Sequence, residues 1–118
     1  MILPTFDWDS EFDNFLNSLR LKETTQVIAM INKIEEHGLQ IAINMKWVKK
    51  IDNNLYEIRV RTNELFIRSL YFQVEQSNYF ITHGFKKKTN ETPVKEIKRS
   101  KKIRDKYLSK RKRSDSDE

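Results

Sequence analysis

Between Leu55 and Lys88 the chain runs Leu-Tyr-Glu-Ile-Arg-Val-Arg, then Phe-Ile-Arg-Ser-Leu-Tyr-Phe, then Tyr-Phe-Ile-Thr-His-Gly-Phe-Lys-Lys-Lys. Three aromatic and β-branched runs with short polar breaks between them predict an antiparallel meander. In the first run Tyr56, Ile58 and Val60 alternate with Glu57, Arg59 and Arg61, so one face is apolar and the other charged. Seven of the 13 aromatic residues fall between Leu55 and Phe85, which locates the core here. The same stretch carries fixed cations on its strands, and that combination constrains the fold and points to a function.

The flanks supply cover for the sheet. After a cap at Asp9 or Ser10, Phe12, Phe15, Leu16 and Leu19 recur at helical spacing. A second helix is expected from about Lys22 to His37, with Val27, Met30, Ile31 and Ile34 inward and Gly38 as its stop. The short break at Arg20–Lys22 makes the two an antiparallel hairpin. Ahead of them, Phe6 and Trp8 alternate like a strand, and Pro4 restricts it to an edge or entry position. From Leu39 to Asp52 the pattern fits either a strand or a short helical turn.

Past the meander, Thr92 is placed to cap a helix with Pro93 in its first position. Val94, Ile97, Ile103, Tyr107 and Leu108 give that helix only a thin apolar stripe among Lys and Arg, so it is expected at the domain edge. The expected fold is α+β: an N-terminal helical hairpin packed on a small antiparallel β-sheet, followed by a C-terminal basic helix. Residues 1–108 form one domain, and residues 109–118 read as a disordered basic-acidic tail.

Several function classes drop out. Mean hydropathy is -0.76, and no apolar run approaches the roughly 20 residues of a membrane span. No signal peptide is visible, and a chain without cysteine suits a reducing cytoplasm. Two glycines leave no phosphate-cradling loop, and two histidines without cysteine give no recognisable zinc spacing. No cofactor is expected.

Charge is strongly segregated. Residues 1–45 hold three basic and seven acidic side chains, whereas residues 86–113 hold 14 basic and three acidic. Such asymmetry is the footprint of a polyanion binder. Arg59, Arg61, Arg68, Lys86, Lys87 and Lys88, with Lys49 and Lys50 nearby, are too many for edge protection of a sheet alone. Arg68 stands in an otherwise apolar run, where an unpaired guanidinium is costly, so either Glu57 or a ligand phosphate must answer it. His83 on a strand is more simply a core residue than a catalyst, and His37 a favourable partner for a helix C-terminus.

Leu-Tyr-Glu-Ile-Arg-Val-Arg (55–61), Ile-Arg-Ser-Leu-Tyr-Phe (67–72) and His-Gly-Phe-Lys-Lys-Lys-Thr-Asn-Glu-Thr-Pro (83–93), with Ile97 beyond, resemble the RelE/HigB superfamily of bacterial toxins, in its phage-associated HigB-like branch. The likeness covers Phe12 to Leu108. It implies a ribosome-dependent, metal-independent mRNA endonuclease held inactive by a cognate antitoxin. That antitoxin is expected to be a helix-turn-helix protein, with operator DNA bound only through it. The implied setting is the cytoplasm, with the ribosome and mRNA as partners.

Metal-free RNA cleavage by a ribose 2′-hydroxyl needs a proton acceptor, positive charge for the pentavalent phosphorus, and help for the leaving oxygen. Arginine grips phosphate bidentately and keeps its charge, so Arg59 and Arg68 are assigned to phosphate, on positions the resemblance marks as basic. Lys86 and Lys87 match the basic pair that follows the family's last strand, as transition-state stabilisers or leaving-group acid. Arg61, Lys88, Lys49 and Lys50 are candidate RNA contacts. The base is the open position. A lysine, ordinarily near 10.4, would have to fall by about three units to accept a proton at neutrality. Glu57, among cations, is a poor acceptor and better suited to orienting arginine. His83 is the reserve. A non-catalytic RNA- or DNA-binding module and a protein-interaction domain are the other readings.

Overall fold

The computed structural model describes residues 2–116. β3 (Leu55–Arg61), β4 (Phe66–Glu75) and β5 (Asn78–Lys87) pair antiparallel in sequence order, as their alternation predicts. β2 (Val48–Asp52) adds antiparallel to β3, and β1 (Thr5–Trp8) pairs parallel with β5. The sheet is therefore mixed, in the order β1-β5-β4-β3-β2, and larger than the antiparallel sheet expected. The reason is local. Without β1 the inner edge of β5 would be bare, and Phe6 finds its burial there, edge-on to Tyr71 with ring centres 5.1 Å apart. Pro4 stays just outside the strand, where its missing N–H costs no ladder bond.

α1 (Ser10–Ser18) and α2 (Leu21–His37) are the two helices expected ahead of the meander, joined at Leu19 and Arg20. Glu23 accepts a hydrogen bond from the Arg20 backbone N–H at 3.0 Å and so fixes the start of α2. Phe12, Leu16, Val27, Ile31 and Ile34 pack against Ile58, Val60, Ile67, Tyr71 and Ile81 from the sheet. Each such side chain contributes about 1.5–3 kcal/mol when fully buried. α1 lies so close to β5 that a Cβ on Gly84 would come within 2.4 Å of the Phe15 ring. Glycine is required at that point to let the helix seat.

Gly38, at φ 92, ends α2 and starts the short α3 (Leu39–Asn44). The ambiguous stretch thus resolves into a helical turn and then a strand. Ala42 is its one fully buried residue, while Ile41, Ile43 and Met45 remain exposed, so the apolar alternation there does not reflect a buried strand face. Lys46, at φ 62, redirects the chain into β2.

α4 (Val94–Ser116) crosses the opposite face of the sheet. It is more than an edge element. Tyr107 packs on Phe72 and Phe80 with ring centres 5.6 and 4.5 Å away, and Ser100 is wholly buried. A bulge in β5 lets this happen. Leu70 pairs with His83 and Tyr71 with Ile81, so Thr82 is an extra residue, and Thr82 and His83 both meet α4. At one end Lys101 pairs with Asp52 and Arg104 donates to the Asn53 carbonyl at 2.7 Å; at the other Arg111 pairs with Glu75.

Two details of this region differ from expectation. Thr92 does not cap α4; the Pro93 carbonyl accepts from Glu96 and Ile97, and the threonine hydroxyl is engaged elsewhere. The helix also continues past Leu108 to Ser116, so residues 109–116 are helical where composition suggested a tail. Lys and Arg are good helix formers, and the Arg111–Glu75 pair holds the extension to the sheet. Asp117 and Glu118 lie outside the described residues. Among the described residues no helix is long and apolar enough to cross a membrane.

Candidate functional site

α4 covers only part of its face of the sheet. The remainder, at the ends of β3 and β4, presents the charged side of the meander. Antiparallel register sets Arg59 directly opposite Arg68 and Arg61 opposite Phe66. Like charges so placed repel, and the pair persists only because something between them answers the charge. Glu57 does so from beneath. It is 1% exposed, and its Oε1 lies 3.5 Å from Arg59 Nε and 3.6 Å from Arg68 Nε. Its other oxygen accepts the Thr92 hydroxyl at 2.6 Å. The carboxylate is fully committed.

From above, Asn90 Oδ1 accepts a hydrogen bond from Arg59 Nη2 at 3.0 Å and another from Arg68 Nη2. Two guanidinium groups sharing one oxygen is an arrangement that can also grip an oxyanion. Arg68 is only 3% exposed, and its buried Nε has no hydrogen-bond partner beyond the ion pair with Glu57. Burial lowers its pKa from the usual arginine value; the Glu57 charge opposes that, and Arg59 adds to it. The Phe66 ring carries both Arg61 and Arg68, whose guanidinium carbons lie 4.8 and 5.1 Å from its centre. Lys46, Arg59, Arg61, Phe66, Arg68 and Asn90 line a shallow cleft of about 240 Å³.

The structure sorts the remaining candidates. Lys87 is half-buried opposite Phe66, on the same face as Arg68 by strand alternation. Lys86, its neighbour in sequence, pairs with Ile67 and emerges on the α2 side, 3.6 Å from Glu23. The two lysines therefore do not act at one spot. Lys88 is exposed just beyond β5. Lys49 lies opposite Glu57 on the outer strand, and Lys50 opposite Tyr56 on the other face.

His83 is buried beneath α4 rather than in the cleft. Its Nε2 is 3.3 Å from Glu96 Oε1 and its Nδ1 is 3.1 Å from the Thr82 hydroxyl. Burial pushes the imidazole pKa below its usual value, Arg99 reinforces that, and Glu96 opposes it.

Asn90, Thr92, Phe66 and Lys46 belong to the site although only their neighbours stood out in sequence. Asn90 and Thr92 sit between a strand and a helix, where a capping role is the ordinary reading. Their long-range bonds to β3 and β4 have no sequence signature. Among the described residues no group of three or more His, Asp and Glu side chains is placed to hold a metal ion.

A family model described as "Phage derived protein Gp49-like (DUF891)" matches residues 14–105. The chain belongs to the Gp49-like family. No curated protein matches it. The Gp49-like span contains Glu57, Arg59, Arg68, Asn90 and Thr92, so the whole arginine cleft lies within the family's domain. β1 precedes the matched span.

Proposed function

We propose that this Gp49-like protein is the toxin of a type II toxin–antitoxin pair and acts as a ribosome-dependent, metal-independent endonuclease on translated mRNA. The observation that carries this reading is the convergence of Arg59 and Arg68 on one oxygen in a solvent-open cleft, with Glu57 holding both from below.

In the reaction the ribose 2′-oxygen forms a bond to the adjacent phosphorus and passes its proton to solvent water. The bond from phosphorus to the 5′-oxygen then breaks, leaving a 2′,3′-cyclic phosphate and a 5′-hydroxyl. Negative charge that builds on the non-bridging oxygens is met by Arg59 and Arg68, which displace the Asn90 oxygen in favour of phosphate. Removal of one preorganised donor from the oxyanion hole of an acyl-transfer enzyme costs roughly 2.7–4 kcal/mol, which sets the scale for such a group. Lys87, on the same face, is assigned to protonate the departing 5′-oxygen.

Glu57 orients the arginines and is not the base, because both its oxygens are occupied. His83 is excluded from that role by its place under α4. Among the described residues the cleft is lined by cations, an aromatic ring and an amide, so the protein's contribution there is charge and position, which suits an enzyme that works only on mRNA fixed in the ribosome. The setting is then the cytoplasm. A helix-turn-helix antitoxin would silence the protein by laying acidic groups on the cationic face, and operator DNA would be reached through that partner alone.

The test is incubation of purified protein with translating ribosomes, followed by mapping of new mRNA ends. Cleavage that disappears in Arg59→Ala and Lys87→Ala supports the proposal, and undiminished cleavage in both overturns it. The basic outer side of α4, with Lys102, Lys106 and Lys110 exposed, favours a second reading as a non-catalytic nucleic-acid binder. Salt-sensitive binding without new ends would select that reading.

A further inference from the structure

A second cavity, of about 390 Å³, opens where the N-terminal turn of α2 meets the β3–β4 connection. Arg20, Lys22, Arg61 and Lys86 line it, with Glu23 and Glu64 as its carboxylates, so cations outnumber anions four to two. Arg61 lines this cavity and the arginine cleft alike. That residue is the last of β3, exposed, and among the described residues no carboxylate pairs with it. The two concavities are therefore neighbours around the end of the sheet, with Arg61 in the lining of both.

One further group points to the class of ligand. Gln26 lines the same cavity, and among the described residues nothing hydrogen-bonds its buried Oε1. A ligand that suits this cavity carries an anion for the cations and hydrogen-bonding groups for the polar side chains that line it, Gln26 among them. A ribonucleotide has both, a phosphate and a ribose hydroxyl or base N–H.

We infer that this cavity is a second nucleotide subsite. It takes a flanking nucleotide of the same single strand whose reacting phosphate lies between Arg59 and Arg68, with Arg61 holding the backbone as it rounds the sheet. The inference rests on the RNA-cleaving reading of the cleft and extends it to the path of the strand. Lys86, which the sheet sends to the α2 side, then serves strand binding rather than the chemical step.

The test compares the full chain with an Arg20→Gln/Lys22→Gln variant, both residues being exposed and outside the cleft. The probes are a dinucleoside monophosphate and a long 2′-O-methyl RNA strand, which cannot be cut. The parent should bind the long strand more tightly and with a steeper salt dependence. The variant should lose about 0.7 log units of salt slope for each phosphate contact removed, on the long strand only. Unchanged slope and affinity on the long strand would overturn the subsite. So would a parent that gains nothing from length, or a variant that loses binding of a polyglutamate peptide while keeping the RNA. Failure of the cleft reading looks different: the dinucleotide would bind Arg59→Ala as well as it binds the parent.

Discussion

Arg59 and Arg68 face one another across β3 and β4 and converge on a single oxygen, Oδ1 of Asn90. Two permanent cations at one point would separate unless something negative lay between them. The fold provides a buried carboxylate below, Glu57, and an amide oxygen above. The carboxylate is structural, whereas the amide is exposed and replaceable. Under the proposed function, that asymmetry makes the upper position the place for a phosphate.

Asn90→Ala should therefore raise affinity for phosphate and short RNA, because the anion no longer competes with an internal acceptor. Asn90→Asp should do the reverse by placing a carboxylate in the phosphate's position, and it should also stabilise the fold. Titration of each variant with inorganic phosphate, followed by thermal unfolding, checks both. Weaker phosphate binding in Asn90→Ala would show that the amide helps to bind the anion rather than holding its place.

Glu57→Gln removes the charge that two guanidinium groups share. Leaving Arg68 buried without a counter-charge costs about 3–5 kcal/mol. Urea unfolding should show a loss of that order with an unchanged m-value. A loss below about 1 kcal/mol would mean that Arg68 rearranges to reach solvent.

Gly84→Ala drives a methyl group into the Phe15 ring. The ring belongs to a packed helix, so the cost should be about 1–3 kcal/mol of overpacking. Phe15→Leu in the same chain should recover part of it, and a double-mutant cycle on melting curves measures the coupling. Strictly additive effects would place the clash elsewhere.

His83 gives the fold a pH dependence of defined sign. Burial lowers its folded pKa below the ordinary value of 6.5, so between the two values the unfolded chain binds more protons. The contribution of His83 to stability is complete above about pH 6.5 and is lost as pH falls from there toward the folded value. Urea midpoints across this window should fall with acidification in the parent, and the slope should flatten in His83→Gln. A midpoint that rises on acidification would mean that Glu96 holds the ring protonated in the folded state.

Local pattern located the elements well. Strand alternation identified the meander, and recurrence of Phe12, Leu16, Val27 and Ile31 at helical spacing identified the two helices ahead of it. Pairings between distant parts were another matter. β1 joins β5 some seventy residues later in the chain, and no feature of Thr5–Trp8 states that the pairing is parallel. The separation of Lys86 from Lys87 follows from the two-residue period of a strand, yet adjacency in sequence suggests partnership. The Thr82 bulge changes the facing of His83 by adding one residue to β5, which no composition signal announces. Asn90 and Thr92 were hidden for a further reason. Asn and Thr before a helix ordinarily bond to its first turn, and here tertiary ion pairs claimed them instead.

The segment that bears Asn90 is bounded by β5, which ends at Lys87, and α4, which begins at Val94. α4 in turn is fastened across the sheet through Lys101, Arg104 and Arg111. A tether this short, nailed at both ends, permits a swing but no departure. Under the proposed function, an anion that displaced the amide would leave that oxygen close by, ready to return to Arg59 and Arg68 once the site emptied.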